Sequence, residues 1–192
     1  MFCVDTVLKD ELLSSGVYPS NWTSEATLKD GFKVYIRPIR PDDAPRLQQG
    51  FRRLSKETIY MRFLEIFSDL PDDQAQRFAN VDYQTSMALV GSIQEEGEEH
   101  LVAVARYACV GGDESGLAEC AIVVRDDFQN RGLGKFIILQ LVEYARLHGV
   151  KAFIGTIHAR NAKILHFIEA GGVPFDRKMV EPGVWEYKLR LV

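Results

Sequence analysis

Six residues, Gln129-Asn130-Arg131-Gly132-Leu133-Gly134, limit what this 192-residue chain can fold into more than any other segment. They stand between an apolar, β-branched run from Ala121 to Val124 and a long amphipathic stretch from about Leu133 to His148, so they read as a strand-to-helix turn that presents bare backbone amides. Gly132 and Gly134 carry no Cβ, and an anion can approach their N–H groups closely. The positive end of the following helix dipole favours negative charge at the same point. The turn is predicted to hold phosphate. Spacing excludes two other phosphate loops: Gln129 and Phe136 stand where a Walker A loop needs Gly and Ser or Thr, and Ile137 stands where the dinucleotide fingerprint needs its third Gly.

With 46% hydrophobic and 26% charged residues, the chain can bury one substantial core, and one domain is expected. A formal net charge of −4 argues against nucleic acid as a partner, because duplex binding is driven by Lys and Arg contacts to phosphate. Met1 to Asp5 has no basic n-region, and no segment approaches the roughly 20 apolar residues of a membrane span. Cys3, Cys109 and Cys120 are odd in number and lack metal-ligand spacing, which points to reduced thiols, a cytoplasmic location and no metal. If the segment from Gly111 to Gly116 closes a hairpin, Cys109 and Cys120 can lie opposite each other and pair.

Residues 1–24 read as an accessory segment, with Leu8, Leu12 and Leu13 on one face of a short helix. Glu25 to Leu28 and Phe32 to Ile39 flank Asp30-Gly31, a hairpin signal. Asp42 or Asp43 is expected to cap a helix carrying Leu47, Phe51 and Leu54, and Ser55 a second one through Phe63. A third helix opens at Pro71-Asp72-Asp73. Strands follow at Met87 to Ile93, Leu101 to Val110 and Leu117 to Val124, the first two joined by an acidic turn, Glu95 to Glu99, read as a solvated tip. The helix after the glycine loop would bury Phe136, Leu139, Val142 and Leu147. Ala152 to Ile157 is a strand, Asn161 to Glu169 a helix, and Phe175 to Val192 a hairpin turning at Pro182-Gly183. An antiparallel meander leading into a βαβα unit and a final hairpin is an α+β pattern.

This order, with Ala118 to Gly134, Ile36 to Ala44, Arg53-Leu54-Ser55, Arg62-Phe63, Val81-Asp82-Tyr83 and Met87 to Val90, resembles the GNAT acetyltransferase superfamily, in particular bacterial protein lysine acetyltransferases that act on acyl-CoA synthetases. The resemblance covers about residues 25–192 as one GNAT domain. It implies a mixed, mostly antiparallel sheet flanked by helices and splayed at an acyl-CoA site. It also implies transfer of acetyl from acetyl-CoA to an amine by direct attack. The backbone of Ile122, Val123 and Val124 would pair with the pantetheine arm. The loop Gln129, Asn130, Arg131, Gly132, Leu133, Gly134 and Lys135 would hold the pyrophosphate, and Asn161 would contact the pantetheine arm, cap its helix, or both. Arg125, Arg131 and Lys135 would offset the charge of CoA, which the overall acidity of the chain opposes.

Glu119 is the expected general base. It lies mid-strand between Ala118 and Cys120, where a charge is unexpected unless it faces a cleft, and the resembled family uses the matching Glu in that role. A Lys amine with a reference pKa near 10.4 is almost wholly protonated at neutral pH, so a proton acceptor is useful. Ile168 stands where many members of the superfamily place a Tyr acid, which leaves solvent to protonate the departing thiolate. His158 and His166 are read as structural residues near the cleft. The acceptor is expected to be a protein lysine, such as one on an acyl-CoA synthetase; a small-molecule amine is the alternative within the class, and a non-catalytic acyl-CoA sensor the alternative outside it.

Overall fold

The computed structural model describes residues 16–111, 115–170 and 173–191. The helix expected on Leu8, Leu12 and Leu13 lies outside these residues. Beyond it, Tyr18 and Trp22 pack edge-on against Tyr83 and Tyr144, and Tyr18 donates to the Pro38 carbonyl at 3.2 Å.

Strands β1 (Ser24–Thr27) and β2 (Lys33–Pro38) form the hairpin signalled by Asp30-Gly31, with Gly31 at φ +84°. Three helices follow, α1 (Ala44–Arg52), α2 (Lys56–Phe63) and α3 (Asp72–Ala79). The chain then runs through β3 (Ser86–Glu95), β4 (Glu98–Val110), β5 (Leu117–Val124), α4 (Leu133–Leu147), β6 (Ala152–His158), α5 (Ala162–Ala170), β7 (Phe175–Glu181) and β8 (Val184–Arg190). The strands make one sheet in the order β1-β2-β3-β4-β5-β6-β8-β7, antiparallel at every step except β5–β6. The fold is the α+β architecture expected from the order of the segments.

The two-residue period of β3 shows how the layers form. Met87 and Leu89 face a core shared with α4, whereas Ala88 and Val90 face a second core under α1 to α3. Each large side chain buried in this way stabilises the fold by roughly 1.5–3 kcal/mol.

Helix α4 buries a stripe centred on Ile137, Leu141 and Tyr144. At 100° per residue Leu139 falls opposite this stripe and is 53% exposed, while Phe136, Val142 and Leu147 fall on its margins, Leu147 being 38% exposed. The expected set was therefore out of phase. Cys109 and Cys120 are not linked to each other: the hairpin register sets Cys109 opposite Ala118 and Cys120 opposite Tyr107.

The acidic segments also serve another purpose than the one expected. Asp43 begins α1 without a side-chain cap and is fully buried instead. Its carboxylate accepts both terminal nitrogens of Arg37 at 2.7 Å and the Arg40 amide at 2.8 Å, while Arg37 Nε donates to Glu99 at 3.0 Å. Glu95 is held by Arg53 and Arg125, so two residues of the supposedly solvated tip turn inward, and the turn itself is Glu96-Gly97, both at positive φ.

This cluster makes stability pH-dependent. Burial pushes the Asp43 and Glu99 carboxyls up, but the Arg37 guanidinium and neighbouring donors outweigh it and hold both below the usual carboxylate range. Because the folded values are the lower ones, their stabilisation is fully present near neutral pH and is lost as pH falls through them. Urea midpoints measured from pH 7 to pH 2 are expected to drop below about pH 4, near the unfolded carboxyl values, and Asp43→Asn to flatten that drop.

Candidate active site

Strands β5 and β6 pair only at Leu117–Ala152, Ala118–Phe153 and Glu119–Ile154. Past Glu119 they part: β5 continues to Val124 on β4 alone, and β6 continues to His158 on β8 alone. Gly155 sits at the fork, where a Cβ would come within 3.1 Å of the Cys120 carbonyl oxygen. The open edge of β5 from Cys120 to Val124, including Ile122 and Val123, therefore has backbone groups with no strand partner.

Alternation along β5 sends Ala118, Cys120, Ile122 and Val124 towards the α4 core and leaves Glu119, Ala121 and Val123 on the other face. Glu119 stands at the fork, exposed, and forms no ion pair with the described residues. Its neighbour Cys120 is no nucleophile: burial pushes the thiol up to about 12, so the thiolate is scarce at neutral pH.

Beyond Val124 the chain makes a 3-10 turn, Asp126–Phe128, and enters the glycine loop. Asn130 and Gly132 take positive φ, +60° and +96°, and the first helical bond of α4 runs from the Phe136 amide to the Gly132 carbonyl. The six amides from Asn130 to Lys135, those of Arg131, Gly132, Leu133 and Gly134 among them, donate to no acceptor among the described residues. Unpaired amides in a row at a helix N-terminus suit an anion that accepts several hydrogen bonds at once. Gln129 braces this loop rather than extending the row. Its side chain donates to the Val124 carbonyl at 2.9 Å and to Thr58 at 3.2 Å, and accepts from Lys163 at 2.6 Å.

Two residues that the sequence did not single out fix α2 to the loop. Asp126 accepts from the Ser55 amide at 2.9 Å and from the Ser55 and Thr58 hydroxyls at 2.7 Å, while Ser55 caps α2 as expected. Nearby, Asn161 accepts from the Ile164 amide at 3.3 Å as a helix cap, and its side-chain NH₂ has no acceptor among the described residues. His158 accepts from the Arg160 amide and meets Tyr60 edge-on at 5.6 Å, joining the end of β6 to α2 across the open face. Ile168 is buried and has no acidic proton to donate.

The loop cations are redistributed. Arg125 is buried and spent on Asp127 at 2.7 Å and Glu95 at 3.0 Å, and Arg131 is tied to Asp30 at 2.6 Å with its guanidinium over Phe32 and Phe128. Lys135 stays exposed, and Lys163 reaches in from α5 to Gln129 of the loop. Among the described residues no group of His, Cys, Asp and Glu is placed to hold a metal, and no helix is long and apolar enough to cross a membrane.

Comparison with known proteins agrees with this geometry. Residues 33–173 match the family described as Acetyltransferase (GNAT) domain. The chain is 36% identical over 135 residues to acetyltransferase PA5475 of Pseudomonas aeruginosa, covering 70% of this chain and 72% of that protein. It is 28% identical over 151 residues to acetyltransferase Pat of Mycolicibacterium smegmatis, covering 79% of this chain but only 44% of that longer protein. The crystal structure of the GNAT domain of S. lividans PAT superposes with a TM-score of 0.80 at 26% identity, covering 91% of this chain and 99% of that one. A relative 36% identical over most of both chains, and a match that runs from β2 through the fork and the glycine loop into α5, place the chain in the GNAT acetyltransferase family.

Proposed function

We propose that the chain is a cytoplasmic N-acetyltransferase that moves acetyl from acetyl-CoA to a primary amine, a protein lysine, with Glu119 as general base. The observation that carries this reading is the fork: a carboxylate with no ion pair among the described residues stands where β5 and β6 part, on the strand that leads directly into six amides with no acceptor among those residues. Acetyl-CoA supplies the thioester as co-substrate. The amides from Asn130 to Lys135 fit its pyrophosphate, and the open edge of β5 at Ile122 to Val124 together with Asn161 suits the amides of its pantetheine arm.

The chain's own work is then deprotonation and placement. Releasing the proton of a lysine amine at pH 7 costs roughly 4–5 kcal/mol at 1.36 kcal/mol per unit, and Glu119 accepts it as the amine attacks. A C–N bond forms and the C–S bond breaks. The departing thiolate takes its proton from solvent, since Ile168 offers none and the half-buried Cys120 packs on the α4 side of the sheet. The choice of protein lysine rests on the sequence resemblance.

Incubating the protein with acetyl-CoA and a host lysate, followed by mass spectrometry of acetylated amines, tests the reading. A short set of modified lysines, with acyl-CoA synthetase lysines prominent, is expected. Modification confined to small amines would overturn the protein acceptor while leaving the chemistry.

A further inference from the structure

The face of β5 that carries Glu119 also carries Ala121 and Val123, which line a cavity of about 70 Å³ beneath α1, α2 and α3. Its walls are mostly apolar, with Phe51, Phe63 and Leu101 among them, but two arginines interrupt them: Arg62 near the end of α2 and Arg106 on β4. Arg106 is the cross-strand partner of Ala121, and Glu119 that of Ala108. Arg106 and Glu119 are therefore diagonal neighbours on one face, roughly 7–8 Å apart by sheet geometry.

Neither guanidinium has a carboxylate partner among the described residues. Arg62 lies over the Phe63 ring at 4.7 Å, and Arg106 lies over the Phe78 ring at 4.5 Å with the Phe78 carbonyl at a marginal 3.5 Å. The other cation lining the cavity, Arg125, is already held by Glu95 and Asp127. Burial pulls the Arg62 guanidinium down, and pulls Arg106 down to about 10, with the charge of Arg62 pushing the same way and Glu119 opposing. An arginine guanidinium stays protonated in proteins, so the protein keeps two like charges partly desolvated in one cavity. An arrangement of this kind is costly unless an anion joins it.

We infer that Arg62 and Arg106 receive a carboxylate carried by the acceptor molecule, while its amine lies at Glu119. The inference rests on the acetyl-transfer reading above and narrows its acceptor to an amine with an acidic group close by. A guanidinium pairs with a carboxylate through two parallel hydrogen bonds, and two guanidinia can take both oxygens. A cavity of about 70 Å³ holds a few water-sized groups, at roughly 10–15 Å³ each. That suits the end of an acidic side chain or an α-carboxylate and leaves no space for a second long chain.

The test is calorimetric binding of matched probes to the protein saturated with CoA, which needs no turnover. Nα-acetyl-lysine is compared with its carboxamide, and acetyl-Glu-lysinamide with acetyl-Gln-lysinamide. At least one carboxylate probe is expected to bind tenfold or more tightly than its uncharged partner. A preference in the first pair alone identifies a small-molecule or C-terminal carboxylate, and a preference in the second identifies an acidic side chain beside the lysine. In Arg62→Gln and Arg106→Gln the ratio is expected to fall towards one. Arg106→Lys, which keeps the charge, should retain part of it and guards against misreading a folding defect. Equal affinities in both pairs of the wild-type protein would overturn the inference. Acetylation of the same probes is scored separately: a carboxylate preference without any acetylation would sink the transferase reading and leave the anion site standing.

Discussion

Glu119→Gln is expected to lower the rate of acetyl transfer by about 10²–10⁴-fold, the usual range for loss of a general base, with the fold and CoA affinity retained. The structure favours a clean result. Glu119 is exposed and forms no ion pair with the described residues, so glutamine of nearly the same size leaves no orphaned partner behind. Its backbone pairing with Ala108 and Ile154 does not depend on the carboxylate. Raising the pH should partly rescue the variant, because a growing share of the amine arrives deprotonated without help. The deciding measurement is a pH–rate profile on both forms. Equal rates across neutral pH would make Glu119 structural and hand proton removal to water or to another group. Cys120 is a poor substitute, since its buried thiol is pushed up to about 12.

What the sequence discloses about this site follows from how local each feature is. The glycine loop and the strand before it are set by neighbours within a few residues, and their positions agree with the structure to within a residue or two. The fork is not local. It depends on where pairing between β5 and β6 stops, and that pairing joins residues as distant in sequence as Leu117 and Ala152, with Gly155 as a local hint. Charge placement misled for a related reason. Arg125 stands beside the loop in sequence, yet Asp127 two residues on claims it, whereas Lys163 reaches the loop from a helix after the next strand. Helix α4 was legible as a helix but not in phase, because Leu139 and Leu147 are as apolar as the residues that face the sheet. Arg62 and Arg106 come from a helix and a strand forty-odd residues apart, and only the packing of α2 over β4 and β5 brings them into one cavity.

Gly134→Glu is expected to weaken CoA binding at least tenfold, about 1.4 kcal/mol. The two loop glycines are not equivalent as tests. Gly132 holds φ +96°, which L side chains rarely adopt, so a substitution there strains the backbone before any ligand is considered. Gly134 has ordinary helical geometry at the start of α4, and a Cβ there would meet Val124 Cγ2 at 3.6 Å and Ile122 Cδ1 at 3.7 Å, both normal contacts. The protein alone thus accommodates a side chain at 134, and Gly134→Ala should fold and melt close to wild type. A glutamate at the same place brings a carboxylate to the end of the helix dipole, among the amides that would otherwise meet phosphate, and repels the pyrophosphate by like charge. Calorimetry with CoA on wild type, Gly134→Ala and Gly134→Glu separates bulk from charge. Affinity unchanged in a folded Gly134→Glu protein would move the anion site away from this loop, and the six amides with no acceptor among the described residues would then need another partner.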